Sequence, residues 1–148
     1  KKSMVNDCLF HFHVPYENGT LEAVSYDANG REIGRNALTT AGEETMLRVV
    51  PEKQTVEKGH LCYIRLQYTD KNGTVKPTER GILDVTVEGG KLVGLGSACP
   101  YYELSYLGTK ADTYYGEAMA IVEAGSDSKV TVNVTDGTHS TVSEIPVR

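Results

Sequence analysis

The segment His60–Thr69, HLCYIRLQYT, alternates with a period of two. Leu61, Tyr63, Arg65 and Gln67 fall on one side of an extended chain, and Cys62, Ile64, Leu66 and Tyr68 on the other. The second set is the more apolar and is the expected core face of a half-buried strand. Asp70-Lys71-Asn72-Gly73 supplies turn chemistry directly after it. Working outward, the same alternation recurs in Ile82–Val87 (ILDVTV), Lys91–Leu95, Ala118–Glu123 (AMAIVE), Lys129–Thr135 (KVTVNVT) and Thr138–Val147. On the N-terminal side, Thr45–Val50 (TMLRVV) is a further apolar strand, ended by Pro51. Short strands at a spacing of about ten residues, separated by Gly, Asn and Asp turns, predict an all-β, immunoglobulin-like β-sandwich. No segment of helical length carries a helical period.

The first 42 residues read differently. In Cys8–Val14, CLFHFHV, the residues Leu9, His11 and His13 alternate with Cys8, Phe10, Phe12 and Val14, predicting a strand. Asn18-Gly19 and Asn29-Gly30 mark two turns, with strands expected over Thr20–Tyr26 and Arg31–Thr39. The polar break Ala41-Gly42-Glu43-Glu44 places a boundary near Gly42, giving units of residues 1–42 and 43–148. Three strands in about 42 residues bury too little surface for an independent core. Residues 1–42 therefore read as a partial immunoglobulin-like unit truncated at its N-terminus. Its open edges invite a partner, with the 8–14 or 31–39 strand expected to pair with another copy of the chain or to lie against the second unit.

Composition excludes several function classes. With 39% hydrophobic and 24% charged residues the chain is ordinary for a globular protein. Its formal charge of −5 comes from interspersed signs, and no basic run exceeds Lys1-Lys2, so nucleic acid is not an expected partner. No run approaches the roughly 20 apolar residues of a membrane span. The opening KKSMVNDC lacks the apolar stretch of a signal peptide and an initiator Met, and reads as the start of an excised fragment. Cys8, Cys62 and Cys99 lack C-x-x-C spacing and are expected as small buried hydrophobes, with a Cys62–Cys99 disulfide open to an oxidising compartment.

The stretch from Gly94 to Gly116, GLGSACPYYELSYLGTKADTYYG, stands apart, holding five of the nine tyrosines between two strands. It reads as a long connection without secondary structure of its own, a feature that is usually functional or packed by its own side chains. Tyr101, Tyr102, Tyr106, Tyr114 and Tyr115 have two readings. They form an aromatic platform for sugar rings, or they anchor the loop on the sandwich or on a neighbouring domain. Nothing in the stretch completes a catalytic set. Gly94-Leu95-Gly96-Ser97 follows a strand and opens no helix, so neither a phosphate loop nor a dinucleotide fingerprint is supported, and no cofactor is expected. No G-x-S-x-G elbow occurs. His11 and His13, at i and i+2, have the spacing of a shared metal, but no third ligand is identifiable and they read as a solvent-facing pair. Asn18, Asn72 and Asn133 each open an Asn-x-Thr triplet, two of which double as Asn-Gly turns.

At VPYENGTLEAVSYDANGREIGRNALTTAG the chain resembles the immunoglobulin-like domain that follows the catalytic barrel in bacterial family 2 glycoside hydrolases, the β-galactosidase group. The residues carrying this are Val14, Pro15, Tyr16, Gly19, Leu21, Ala23, Tyr26, Gly30 and Thr40-Ala41-Gly42. The second unit is similar to the C-terminal domain of the same enzymes through Leu92–Ser97, Pro100 and Thr113–Ala120, so the resemblance covers nearly the whole chain. It implies a non-catalytic accessory region of a β-galactosidase-like enzyme, packing on the catalytic barrel of the same parent chain or on a second subunit. In that family both catalytic glutamates lie on the barrel, so no catalytic residue is expected here. The alternative is a carbohydrate-binding module using the tyrosines of the 101–115 loop. A bacterial parent in the cytoplasm, periplasm or secreted space is equally consistent with these residues.

Overall fold

The computed structural model describes Val5, Asn6 and residues 9–148, and its described residues contain strands and no helix. Two compact units are present, Lys1–Thr40 and Ala41–Arg148.

In the first unit, β1 (Val5–Asn6) pairs with β2 (Leu9–Phe10), and β3 (Thr20–Tyr26) pairs with β4 (Glu32–Thr39), both antiparallel. The β3–β4 ribbon is turned by Asp27, whose Oδ1 accepts the backbone N–H groups of Asn29 and Arg31. The strand expected over 8–14 is realised only at Leu9–Phe10, and residues 11–17 have no regular structure. Apolar alternation alone does not make a strand. It needs a partner ladder, which is lacking beside residues 11–14 among the described residues, and Pro15 has no N–H to donate. Cys8 lies outside the described residues. His11 and His13 are exposed, and they sit on no strand face.

The second unit is a sandwich of two four-stranded antiparallel sheets. Its strands are β5 (Met46–Pro51), β6 (Leu61–Thr69), β7 (Ile82–Glu88), β8 (Gly90–Gly96), β9 (Lys110–Asp112), β10 (Glu117–Ala124), β11 (Lys129–Thr135) and β12 (Ser140–Pro146). One sheet has the order β5-β6-β10-β8, the other β12-β11-β7-β9. The core lies between them and follows the alternation. Cys62, Ile64, Leu66 and Tyr68 of β6 are buried, facing Leu83 and Val85 of β7 and Val130, Val132 and Val134 of β11 in one apolar cluster. Each such aliphatic side chain contributes about 1.5–3 kcal/mol on leaving water.

The chain crosses from one sheet to the other at Gly89. Its φ is +72°, and a Cβ there would stand 2.1 Å from the carbonyl oxygen of Lys129. Only glycine fits this corner. Opposite β10 the register of β8 shifts between Ile121 and Val122, a bulge that leaves Val93 as the extra residue. Before β5 the entering chain is tied down within this unit. The Asp70 carboxylate accepts the Gly42 N–H at 2.9 Å, and Lys76 Nζ donates to the Glu43 carbonyl and the Thr45 hydroxyl.

Candidate functional site

The tyrosine-rich connection leaves the sandwich at Gly96, the last residue of β8, and contains a strand of its own. Lys110–Asp112 forms β9, paired with β7, so the connection passes from the edge of one sheet to the edge of the other. This corrects the reading of a connection without secondary structure. Ala111 is the one buried side chain of the strand, too short a pattern for a period to show.

Glycine at position 96 decides where the first tyrosines sit. A Cβ there would lie 2.4 Å from the Tyr106 ring, so the ring rests directly on the bare backbone. Tyr106 in turn stacks on Tyr102, with centroids 4.6 Å apart and planes inclined by 26°. The Tyr106 carbonyl accepts the Leu95 N–H at 2.8 Å, fixing the loop to β8. Burial, with Tyr106 beside it, raises the Tyr102 phenol above the ordinary tyrosine value.

Tyr114 and Tyr115 form a second group. Tyr114 and Glu117 exchange backbone hydrogen bonds at 2.9 and 3.2 Å across a hairpin whose central residues, Tyr115 and Gly116, have φ of +50° and +77°. Two successive left-handed residues make a type I′ turn. A non-glycine residue there costs about 1–2 kcal/mol. The Tyr115 ring meets Tyr114 edge-on at 4.5 Å, and its hydrogen bond pushes the Tyr114 phenol up. The rings differ in exposure: Tyr101 is 86% exposed, Tyr115 66% and Tyr106 55%, while Tyr102 and Tyr114 are half-buried.

Two carboxylates near this loop are committed to structure. Asp112 holds the Arg80 guanidinium, and Asp84 holds Lys110 at 2.6 Å. Two shallow hollows of about 180 and 260 Å³ lie elsewhere, one lined by the β5–β6 connection and the start of β6, including Glu52, Cys62 and Tyr63, the other by Gly42, Glu43 and Asp70. Cys62 and Cys99 are free thiols, and burial raises that of Cys62. Among the described residues no three His, Cys, Asp or Glu side chains are grouped to hold a metal.

His139, beside the turn after β11, belongs to a part-buried network. Asp136 Oδ2 accepts the Tyr68 hydroxyl and meets His139 Nδ1, both at 2.9 Å, while Oδ1 accepts the backbone N–H groups of Thr138 and His139. Burial opposes ionisation of Asp136, but these donors outweigh it and hold the carboxyl far below the ordinary range. Burial, with the Asp136 carboxylate next, pushes the Tyr68 phenol well up. The hydroxyl fits because Gly81 has no Cβ, which would stand 2.4 Å from it. The network ties β6 of one sheet to the β11–β12 turn of the other. Its only legible signal was the Asp136-Gly137 turn.

Residues 47–143 match the glycoside hydrolase family 2 C-terminal domain 5, and residues 1–34 match a domain of unknown function, DUF4982. The β-galactosidase BoGH2A of Bacteroides ovatus is 22% identical over 126 residues, which are 83% of this chain and 15% of that one. A solved family 2 glycosyl hydrolase of Bacteroides cellulosilyticus is 27% identical, with a TM-score of 0.82 over 90% of this chain and 19% of its own. A β-glycosidase of Bacteroides vulgatus shares the fold, with a TM-score of 0.79 and 22% identity over 90% of this chain and 18% of its own. The chain spans less than a fifth of the length of each of these three relatives. The match over residues 47–143 takes in most of the two stacked sheets, and the chain belongs to the glycoside hydrolase family 2 C-terminal domain 5 family.

Proposed function

We infer that this chain is a non-catalytic accessory region of a β-galactosidase-like family 2 glycoside hydrolase, packing on the catalytic barrel of its parent chain. The observation that carries it is the commitment of Asp84, Asp112, Tyr102 and Tyr106 to contacts within the sandwich itself. Asp112 and Asp84 neutralise Arg80 and Lys110, and Tyr102 and Tyr106 are spent on each other and on Gly96. Glycoside hydrolysis needs two carboxyl groups about 5–10 Å apart, one free to give a proton and one free to attack or to activate water. Here Asp84 and Asp112 are held as ion-pair acceptors, Glu117 accepts a hydrogen bond from Gln67, and Glu103 is exposed at the loop surface. The bond-breaking chemistry of the parent is assigned to its barrel, and the tyrosine surface of residues 101–115 to docking. In this reading residues 1–42 are the latter part of a preceding immunoglobulin-like unit.

One observation favours a second reading, a carbohydrate-binding module. Tyr101 offers an aromatic face 86% open to solvent, and the flat face of a pyranose packs on such a ring. Titration of the chain with galactosides and plant polysaccharides, followed by calorimetry, separates the two. The accessory reading predicts no saturable heat. Saturable binding that disappears in Tyr101→Ala or Tyr115→Ala would overturn it.

A further inference from the structure

The two outer faces of the sandwich differ in chemistry. On the β12-β11-β7-β9 sheet the outward positions include Asp84, Thr86, Thr131, Asn133 and Glu144, and the charges are answered within the face. Lys110 pairs with Asp84 and Lys129 with Glu144. The apolar residues exposed there, Val142 of β12 and Ile82 of β7, lie on strands separated by β11 and form no row. On the β5-β6-β10-β8 sheet the register sets Tyr63, Ile121 and Gly94 side by side in one row, and Val50, Arg65, Met119 and Gly96 in another. Tyr63 is 42% exposed and Met119 41%. The two glycines make a flat shelf beside them, and the Tyr106 ring, seated on Gly96, continues the apolar surface to the sheet edge.

We propose that this face, centred on Tyr63, Met119 and Ile121 and extended by Tyr106, is the surface by which the second unit docks on the remainder of its own glycoside hydrolase chain. The proposal rests on the accessory reading and moves the contact from the loop tips to the sheet. Aromatic, methionine and arginine side chains at the centre, with charges such as Lys91 and Glu123 at the margin, have the composition of a protein interface. The matched segment is 15–19% of the relatives' length, so the greater part of such a polypeptide is covalently tethered to this unit. Tethering holds a partner surface at an effective concentration of about millimolar, enough for a patch of modest size. A sugar site would instead gather polar groups into a hollow; one hollow adjoins this face only at Tyr63, and neither is lined by Met119, Ile121 or Tyr106.

Hydroxyl-radical footprinting with mass spectrometry, run on the 148-residue chain and on the full-length parent, tests this directly. Met119 and Tyr63 are expected to be oxidised several-fold more slowly in the parent. Met119→Glu is expected to lower the thermal midpoint of the parent and leave that of the chain alone unchanged, while Val142→Glu, on the opposite face, moves neither. Equal oxidation of Met119 in both proteins overturns the proposal. So does a dimer of the isolated chain that Met119→Glu abolishes, or protection of Met119 by a galactan, each naming another occupant. A parent gene without a family 2 barrel would sink the accessory reading instead. An active barrel enzyme with Met119 unprotected would sink the docking face alone.

Discussion

The corner at Gly89 yields a prediction whose magnitude can be worked from geometry. Gly89 and Gly137 both lie in turns of the second unit with left-handed φ, +72° and +89°. Alanine at either position bears the conformational penalty of the left-handed region, about 1–2 kcal/mol. The surroundings then separate them. Around Gly137 a Cβ meets nothing within 4 Å, whereas at Gly89 it would stand 2.1 Å from the Lys129 carbonyl oxygen. That oxygen belongs to the backbone of β11 and cannot swing aside, so the strand must shift by about 1 Å. Overpacking of this kind adds about 1–3 kcal/mol. Gly137→Ala is therefore expected to cost about 1–2 kcal/mol and Gly89→Ala about 2–5 kcal/mol. Urea unfolding followed by circular dichroism reads the difference. With a slope of about 1–3 kcal/mol per molar urea, the Gly89 variant should melt at a midpoint lower by a substantial fraction of 1 M than the Gly137 variant. Equal midpoints would refute the reasoning and show that the sheet-to-sheet corner is plastic.

Three further outcomes follow from the Tyr68–Asp136–His139 network and the loop. Asp136 has its pKa lowered in the fold, so its contribution is present above the unfolded value of about 3.9 and is lost as pH falls through the lower folded value. Acid titration of stability should show a loss below about pH 4 that is shallower in Asp136→Asn, and parallel curves would contradict it. Tyr68→Phe removes a hydroxyl donated to a part-buried carboxylate and is expected to cost about 1.5–3 kcal/mol by chemical denaturation. Tyr106→Ala removes the stack on Tyr102 and uncovers Gly96, for an expected loss of about 0.5–1.5 kcal/mol beyond area burial, with faster proteolysis within residues 97–109 as the second readout.

Strands that bury one face were legible because burial imposes a period on the sequence. Cys62, Ile64, Leu66 and Tyr68 had to point inward together, and they do. Val130, Val132 and Val134 repeat the lesson on the opposite sheet. Where burial is sparse the signal fades. In β9 only Ala111 faces the core, so the pairing that carries the connection across to β7 left no pattern. In CLFHFHV the alternation is present without a neighbouring ladder beyond Leu9–Phe10, and extended pairing does not follow. The grouping of the tyrosines was hidden for another reason. Tyr106 sits on Gly96, ten residues earlier in the chain, because a side chain is missing there, and an absent Cβ reads in a sequence as flexibility or as space with equal ease. The Tyr68–Asp136–His139 network joins residues 68 apart at its extremes of hydrogen bonding, a proximity that only the stacking of the sheets creates.

Removing residues 41–148 from the full-length parent tests the accessory role most directly, with aryl β-galactoside turnover and thermal unfolding measured on the parent, the truncated parent and this chain. The account predicts no turnover by this chain, and in the truncated parent a lowered melting temperature together with reduced activity. Hydrolysis by the 148-residue chain itself, or a truncated parent with unchanged stability and unchanged kcat/KM, would contradict it.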